Sequence, residues 1–223
     1  MALNFGRDLT PGEPAAIASY DYIDIAEGTG IVVFHGGATR SSSGGYMFRL
    51  GRNVFYSDII ASGGTNLGTD DLKLLDFDFD VQFKRPQIIE GNSLISIPIG
   101  VRGNVAASNY KGYAAVAVQK VSEGVETELF ALTSGGLITS AQSWEHGYNT
   151  IEADIPKTHF KSDDTLRLQV QLYARGNAAD TAVVMMGMDP NNRTQSGSLS
   201  GTELRWLEGS ADLQFHVPFK LSI

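Results

Sequence analysis

The chain has 223 residues, of which 42% are hydrophobic and 19% are charged, with 25 glycines and no cysteine. This length fits one large domain with a sizeable core, and the lack of cysteine excludes disulfides, thiolate nucleophiles and cysteine-bound metal centres. The net charge of −8 disfavours contact with a phosphate backbone, so nucleic acid is not an expected partner.

The N-terminal residues 1–16 are predicted to form an extended arm. Pro11 and Pro14 prevent a helix there and remove two backbone donors from any sheet. The same segment lacks the basic patch and apolar run of a signal peptide, and no stretch reaches the ~18 apolar residues of a membrane span. We therefore expect no membrane partner, and residues 17–223 are predicted to form one domain.

Short strands separated by glycine-rich loops are predicted next. The strands are expected at residues 19–26, 31–35, 46–50 and 53–60. The Gly36–Gly37 pair and residues 41–45 predict a loop, and a second loop is predicted to run through Asp71.

The clearest alternation in the sequence begins at Leu75. Its apolar members are Leu75, Phe77, Phe79, Val81 and Phe83, and its polar members are Asp76, Asp78, Asp80, Gln82 and Lys84. A strict period of two over nine residues predicts a strand with one buried and one solvent-facing side.

The remaining strands are predicted at 95–101, 113–121, 125–132, 148–155, 165–175, 181–188 and 213–223. Turns are predicted at 90–92 and 122–124, and short helical turns near 139–144 or within 202–207. Pro218 favours an edge strand or a bulge, because proline cannot donate to a ladder. Roughly ten strands at short intervals predict an all-β fold, a single antiparallel jelly-roll β-sandwich with an N-terminal arm.

The acidic side of the Leu75 strand is a candidate calcium site, since Ca²⁺ prefers six to eight oxygen ligands. Alternate residues of a strand lie about 6.5–7 Å apart, however, which is too far for Asp76, Asp78 and Asp80 to close around one ion without help from loops. The favoured interpretation is a solvated face whose charges block aggregation.

Other patterns give no chemical site. The four histidines, His35, His146, His159 and His216, form no metal-binding motif, and Asp163–Asp164 is interpreted as a turn. The glycine-rich segments lack the spacing of a nucleotide fingerprint. We therefore predict no catalytic, cofactor-binding or metal-binding residues, no cofactor, and no enzyme activity; a glycosidase that uses paired carboxylates ranks last.

Aromatic side chains are the usual platforms for sugars. Five are candidates for such a platform: Tyr20, Tyr22, Trp144, Tyr148 and Trp206. Core or subunit-interface roles for the tryptophans are favoured. A carbohydrate-binding β-sandwich module or receptor-binding knob is kept as the alternative function.

The C-terminal part of the chain contains the segment Thr158–Val170, in which strand residues flank the polar stretch Lys161–Asp164. This segment is similar to the pattern T-x-F-x-x-G-D-x-L-R-L-x-V of structural proteins of tailed bacteriophages, although Ser162–Asp163 stands where a glycine–acid turn is commoner. Met188–Thr194 and Val217–Leu221 resemble the closing part of the same proteins. The resemblance implies a jelly-roll virion protein on the capsid surface, made in the host cytoplasm, which binds the major capsid protein and itself as a homotrimer.

Overall fold

The computed structural model describes residues 29–40, 46–52, 60–65, 71–103, 110–133, 138–140, 145–176, 181–187, 197–199, 202–204 and 212–220. Within these ranges every regular element is a strand. The strands are β1 Thr29–Arg40, β2 Tyr46–Gly51, β3 Ile60–Thr65, β4 Leu72–Gln82, β5 Gln87–Gly103, β6 Tyr110–Ser122, β7 Val125–Thr133, β8 Ile138–Ser140, β9 Glu145–Phe160, β10 Thr165–Arg175, β11 Thr181–Met186, β12 Gly197–Leu199, β13 Thr202–Leu204 and β14 Gln214–Lys220.

Twelve strands join in one sheet with the order β3-β11-β5-β14-β1-β2-β4-β10-β6-β7, in which β9 also pairs with β5 and β8 with β6. Every pairing in it is antiparallel except a single parallel bridge between Arg49 of β2 and Asp80 of β4. Strands β12 and β13 pair separately. No helix long and apolar enough to cross a membrane occurs among the described residues.

The long sheet folds over into two facing layers. The first layer contains β3, β11, β5, β9, β14 and the start of β1, and the second contains β2, β4, β10, β6, β7 and β8. Strand β1 connects them, because Thr29–His35 pairs with β14 and His35–Arg40 pairs with β2. Contacts between β5 and β6 and between β10 and β11 hold the layers together. The predicted all-β, mostly antiparallel fold is thus confirmed and is consistent with a β-sandwich; the jelly-roll topology stays a prediction.

The predicted alternation in β4 is confirmed. Phe77 and Phe79 are buried, whereas the intervening aspartates face outward. The ring of Phe48 from β2 lies 4.5 Å from that of Phe77 and 5.4 Å from that of Phe79, centroid to centroid, in the inclined geometry that aromatic pairs prefer.

The hairpin between β6 and β7 is also confirmed. Glu123 and Gly124 have φ values of 52° and 80°, and Ser122 pairs with Val125 directly across them. Two consecutive positive φ values define the turn whose twist matches that of the flanking strands.

The predicted loop at Gly36–Gly37 is wrong, because both glycines lie inside β1. The fully buried side chain of Leu213 covers Gly36, and a Cβ atom at Gly36 would stand 2.8 Å from Leu213 Cγ. The glycine therefore provides space for a side chain from a distant part of the chain.

Other local predictions are corrected in the same way. Residues 90–92 lie within β5 at a register shift rather than in a turn, with Gly91 at φ 115°. Ile138–Ser140 and Thr202–Leu204 are strands instead of helical turns, and Ile60–Thr65 is a strand instead of a loop. Of the two alternatives predicted for Pro218, the edge strand is wrong, because β14 pairs with both β1 and β5, whereas a register shift between His216 and Phe219 agrees with the bulge. The predicted arm, residues 1–16, lies outside the described residues.

Candidate functional site

The acidic ladder of β4 consists of Asp76, Asp78 and Asp80, and its last member pairs directly with Arg167 of β10. The guanidinium donates hydrogen bonds of 2.8 Å to both oxygens of Asp80, and its Nη1 lies 3.3 Å from Asp78 and 2.6 Å from Glu126. These hydrogen bonds and charges raise the pKa of Arg167 above its ordinary value. Burial raises the pKa of Asp78, while Arg167 opposes that shift.

The guanidinium of Arg167 therefore neutralises part of the ladder's negative charge. Asp76, its first member, is paired with Lys73 at 2.6 Å. No group of three or more His, Asp or Glu residues is arranged to hold a metal ion among the residues that the structure describes. The interpretation as a charged, solvated face agrees with this geometry better than the calcium site does.

Two glutamines of β10 donate hydrogen bonds to the carboxylate of Asp76. The Nε2 atoms of Gln169 and Gln171 donate to the two oxygens of Asp76, each at 3.1 Å. The hydroxyl of Tyr173 donates to Oε1 of Gln171 at 2.9 Å. The ring of Tyr173 is stacked on that of Tyr113 at 5.2 Å with an interplanar angle of 5°. This network fixes both amide groups on the outer face of the second layer.

A cavity of about 260 Å³ opens beside these amides. Strand β6 lies between β10 and β7, and its outward residues Ala115 and Ala117 are much shorter than Gln171 and Gln169, which face them on β10, whereas β7 places another alanine, Ala131, opposite Ala117. The cavity is lined by Ala115, Val116, Ala117, Glu128, Ala131, Leu132, Gln169 and Gln171. We refer to it as the β6 trough. No pattern in the sequence predicted it, since its walls come from two strands on either side of β6.

Two of the four histidines are brought together on the outer face of the first layer. Nδ1 of His35 lies 2.7 Å from Oδ2 of Asp212, and Gln214 donates to the same oxygen at 3.1 Å. His216 completes the chain, with Nε2 3.2 Å from Oε1 of Gln214. Burial, and next the charge of His35, lower the pKa of His216. His146 and His159 lie on β9, outside this polar cluster.

Apolar side chains surround the polar cluster. Ile31 and Leu94 are 46% and 36% exposed, and Val33 is half-buried opposite His216. Tyr148, on β9, is 49% exposed, and burial together with the charge of Asp212 raises its pKa. We call the outward side chains of Ile31, Val33, Leu94 and Tyr148 the apolar face.

Of the predicted aromatic platform, only Tyr148 lies within the described ranges. Tyr20, Tyr22, Trp144 and Trp206 fall outside them. Tyr148 lies on the first layer, so it is on the opposite side of the sandwich from the β6 trough.

The predicted turn at Asp163–Asp164 is confirmed and holds a buried carboxylate. Asp163 adopts φ 70°, and its N–H donates to the carbonyl of Phe83 at 2.7 Å. Asp164 accepts from Ser122 Oγ at 2.6 Å and from the backbone N–H of Lys161 at 2.7 Å. Mainly because of the Ser122 hydrogen bond, the pKa of Asp164 is lowered to about 2.

No protein-family model and no curated protein matches this chain. Solved structures do match. A CocE/NonD family hydrolase from Staphylococcus aureus is 12% identical with a TM-score of 0.48, over 86% of this chain and 37% of the hydrolase. An aminopeptidase from a marine sediment archaeon, Thaumarchaeota archaeon, is 8% identical with a TM-score of 0.46, over 84% of this chain and 37% of the aminopeptidase. The chain thus spans little more than a third of each.

A weaker similarity links the chain to a virus particle. The structure of the Gx strain of infectious bursal disease virus is 9% identical with a TM-score of 0.29, over 96% of this chain and 40% of the viral chain. This similarity does not single out bacteriophages or capsid decoration.

The sequence-based prediction that the chain is not an enzyme is corrected here. The first matches, a hydrolase and an aminopeptidase, contradict it. Because every one of these TM-scores is below 0.5, the similarities assign no reaction, substrate or catalytic residue to this chain.

Proposed function

We propose that the chain is a structural protein of a bacteriophage particle that docks on the capsid and stabilises or decorates the shell. The observation that carries this proposal is the apolar face. Single exposed hydrophobic residues are ordinary on a protein surface, but Ile31, Val33 and Leu94 lie on strands of one sheet around His216. These partly exposed apolar side chains share one outer face with the polar cluster between them, and such a mixed surface supports the proposal of an interaction site.

Docking through this face would stabilise a shell by mass action, because the bound chain must be released before capsid subunits separate. Burial of apolar area contributes about 25 cal/mol per Å², and a stable interface needs about 800 Å² per partner. The face alone is smaller than that. We therefore propose that residues 1–16 extend the contact, with the major capsid protein as partner and a homotrimer as the docking unit.

The sequence resemblance over Thr158–Val170 supports the same proposal. These residues form the end of β9, the Asp163–Asp164 turn and the first half of β10. They lead this chain from the first layer to the second.

Co-sedimentation with phage capsids that lack the chain tests the proposal. The native chain is expected to sediment with the shells at a fixed ratio to the major capsid protein. Leu94→Asp places a charge in the apolar face and is expected to weaken this binding at least tenfold. Val125→Asp is the matched control, because Val125 is 65% exposed but lies in the β6–β7 hairpin of the other layer. No binding by the native chain, or equal loss in both variants, would contradict the proposal.

Light scattering tests the proposed trimer separately. A mass three times 24.0 kDa, unchanged by EDTA, is expected for the purified chain. A chain that is monomeric both in solution and on the shell would contradict the trimer. The docking proposal would then still be decided by the co-sedimentation experiment.

A further inference from the structure

We propose that the β6 trough is a binding site for a neutral saccharide. The trough lies on the outer face of the second layer, on the opposite side of the sandwich from the apolar face. The inference is therefore independent of capsid docking. It rests on the shape of the cavity, on the chemistry of its floor and walls, and on the hydrogen bonds that fix its amide groups.

The floor suits the carbon–hydrogen face of a sugar ring. Ala115 and Ala117 are successive outward residues of β6, so their methyl groups lie about 7 Å apart along the strand. Strand β10 places the longer Gln169 and Gln171 beside them, whereas β7 places Ala131 opposite Ala117 and adds Leu132 and Glu128 to the lining. An apolar strip with polar groups at its edges matches a pyranose, which has apolar ring faces and a rim of hydroxyls.

The walls offer hydrogen-bonding groups that are already positioned. Asp76 accepts one hydrogen bond from each of Gln169 and Gln171, and a primary amide nitrogen carries two N–H groups. Each amide thus retains a second N–H for a hydroxyl oxygen. On the opposite wall Glu128 presents carboxylate oxygens that accept from hydroxyl groups. Side chains fixed before binding lose less conformational entropy on binding, which increases affinity.

The charges around the trough select against other ligands. Among the residues that the structure describes, Glu128 is the single carboxylate that lines the cavity, and Lys73 already pairs with Asp76 behind the glutamines. Glu128 repels an anionic ligand. A cationic peptide is attracted by one carboxylate only, which is a weaker attraction than a cluster of carboxylates would give. The volume of about 260 Å³ is just below the range of about 300–1,000 Å³ for drug-sized ligands, so one sugar ring occupies the trough and further rings extend over the sheet.

Saturation-transfer NMR with cellotriose, maltotriose and chitotriose tests the proposal, and trilysine serves as the cationic comparison. At least one trisaccharide is expected to bind the native chain. Ala117→Leu fills the trough and is expected to lower its affinity at least tenfold. Gln171→Ala removes one wall amide without adding bulk and is expected to lower it several-fold. Thr150→Leu adds a leucine at an exposed outward position of β9 and serves as the control, with unchanged affinity.

Each outcome decides the proposal. Binding of a trisaccharide that both trough variants weaken and the control retains would support it, provided that all variants keep the native melting temperature. If Ala117→Leu does not fold, the affinity of Gln171→Ala for the trisaccharide is compared with that of the native chain instead. Absence of signal from all three sugars, equal affinity in the trough variants, or binding of trilysine alone would overturn it. Capsid co-sedimentation is expected to be the same for Gln171→Ala and the native chain, which separates this inference from the docking proposal.

Discussion

Asp80 and Arg167 are 87 residues apart in the sequence and stand directly opposite each other across the β4–β10 pair. Nε and Nη2 of the arginine donate to the two carboxylate oxygens, each at 2.8 Å. A two-pronged pair of this kind is stronger and more directional than a single contact, and here the same cation also faces Asp78 and Glu126. One arginine therefore compensates three carboxylates on the outer face of the sandwich.

Arg167→Gln is expected to destabilise the fold by about 1 kcal/mol, because a partly exposed ion pair contributes about that much and the remaining carboxylates then repel one another. Urea unfolding at low salt measures the loss. The difference between the two proteins is expected to shrink in 1 M NaCl, where screening acts within about 3 Å. Arg175→Gln is the control, since Nε of Arg175 lies 3.8 Å from Asp71 and makes a weaker pair. Equal losses for both variants would contradict this account.

Calcium is expected to leave the native protein unchanged. Lys73 and Arg167 already pair with Asp76, Asp78 and Asp80, so a cation would have to displace them. The melting temperature and the mass in solution are expected to be the same with millimolar Ca²⁺ and with EDTA. A melting temperature that falls in EDTA would restore the calcium interpretation of the ladder.

Asp164 is expected to make the free energy of unfolding depend on pH in the acidic range. Its pKa in the folded protein is lowered to about 2, from an ordinary value of 3.8, so its contribution is complete above pH 4 and is lost as the pH falls towards 2. Asp164→Asn keeps the size of the side chain but loses the charge-assisted bond from Ser122 and the ion pair with Lys120, whose Nζ lies 3.0 Å from Oδ2 of Asp164. We expect a loss of about 1–3 kcal/mol at pH 7. The gap between variant and native protein should close near pH 2 in denaturant titrations; a gap that does not depend on pH would refute the assignment.

The sequence predicts well where the determinants are local. The alternation from Leu75 to Phe83 identifies both faces of β4, and the Glu123–Gly124 turn is indicated by Gly124, which adopts its φ of 80° without strain. The same alternation predicts the acidic ladder. It does not predict that Arg167 pairs with the ladder, because the register that places Arg167 beside Asp80 depends on how two distant strands pair.

The failures have a common physical origin. The Gly36–Gly37 pair predicts a loop, yet the missing side chain of Gly36 makes room for Leu213. The β6 trough is invisible in the sequence, since the alanines at 115 and 117 line a cavity only when β10 places Gln169 and Gln171 beside them and β7 adds Glu128 to the lining. The link between His35 and His216 likewise requires the β1–β14 pairing.

Gly36→Ala is expected to destabilise the fold by about 1–3 kcal/mol, as overpacking of a well-filled core does. The new methyl group would press on the fully buried side chain of Leu213. Leu213→Ala alone is expected to cost about 2–5 kcal/mol through the cavity it leaves. The double variant is expected to lose clearly less than the sum, because each change relieves the other. Additive losses in chemical denaturation would show that the two positions do not interact.

His216 is expected to lower stability as the solution becomes mildly acidic. Burial and the charge of His35 lower its pKa, so the folded protein binds a proton less readily than the unfolded chain. Stability from this group is therefore complete above the ordinary histidine pKa of about 6.5 and declines as the pH falls through the lower folded value.

His216→Gln removes the titrating ring and is expected to flatten the fall in melting temperature between pH 7 and pH 5. A difference of 1 kcal/mol corresponds to about 2–4 °C in a domain of this size, which thermal scans resolve. His159→Gln is the control, because His159 is exposed on β9 and lies outside the polar cluster of the first layer. If both variants flatten the profile equally, the acid response comes from elsewhere in the chain. If only His216→Gln does so, His216 is an acid-sensitive group on the outer face of the first layer.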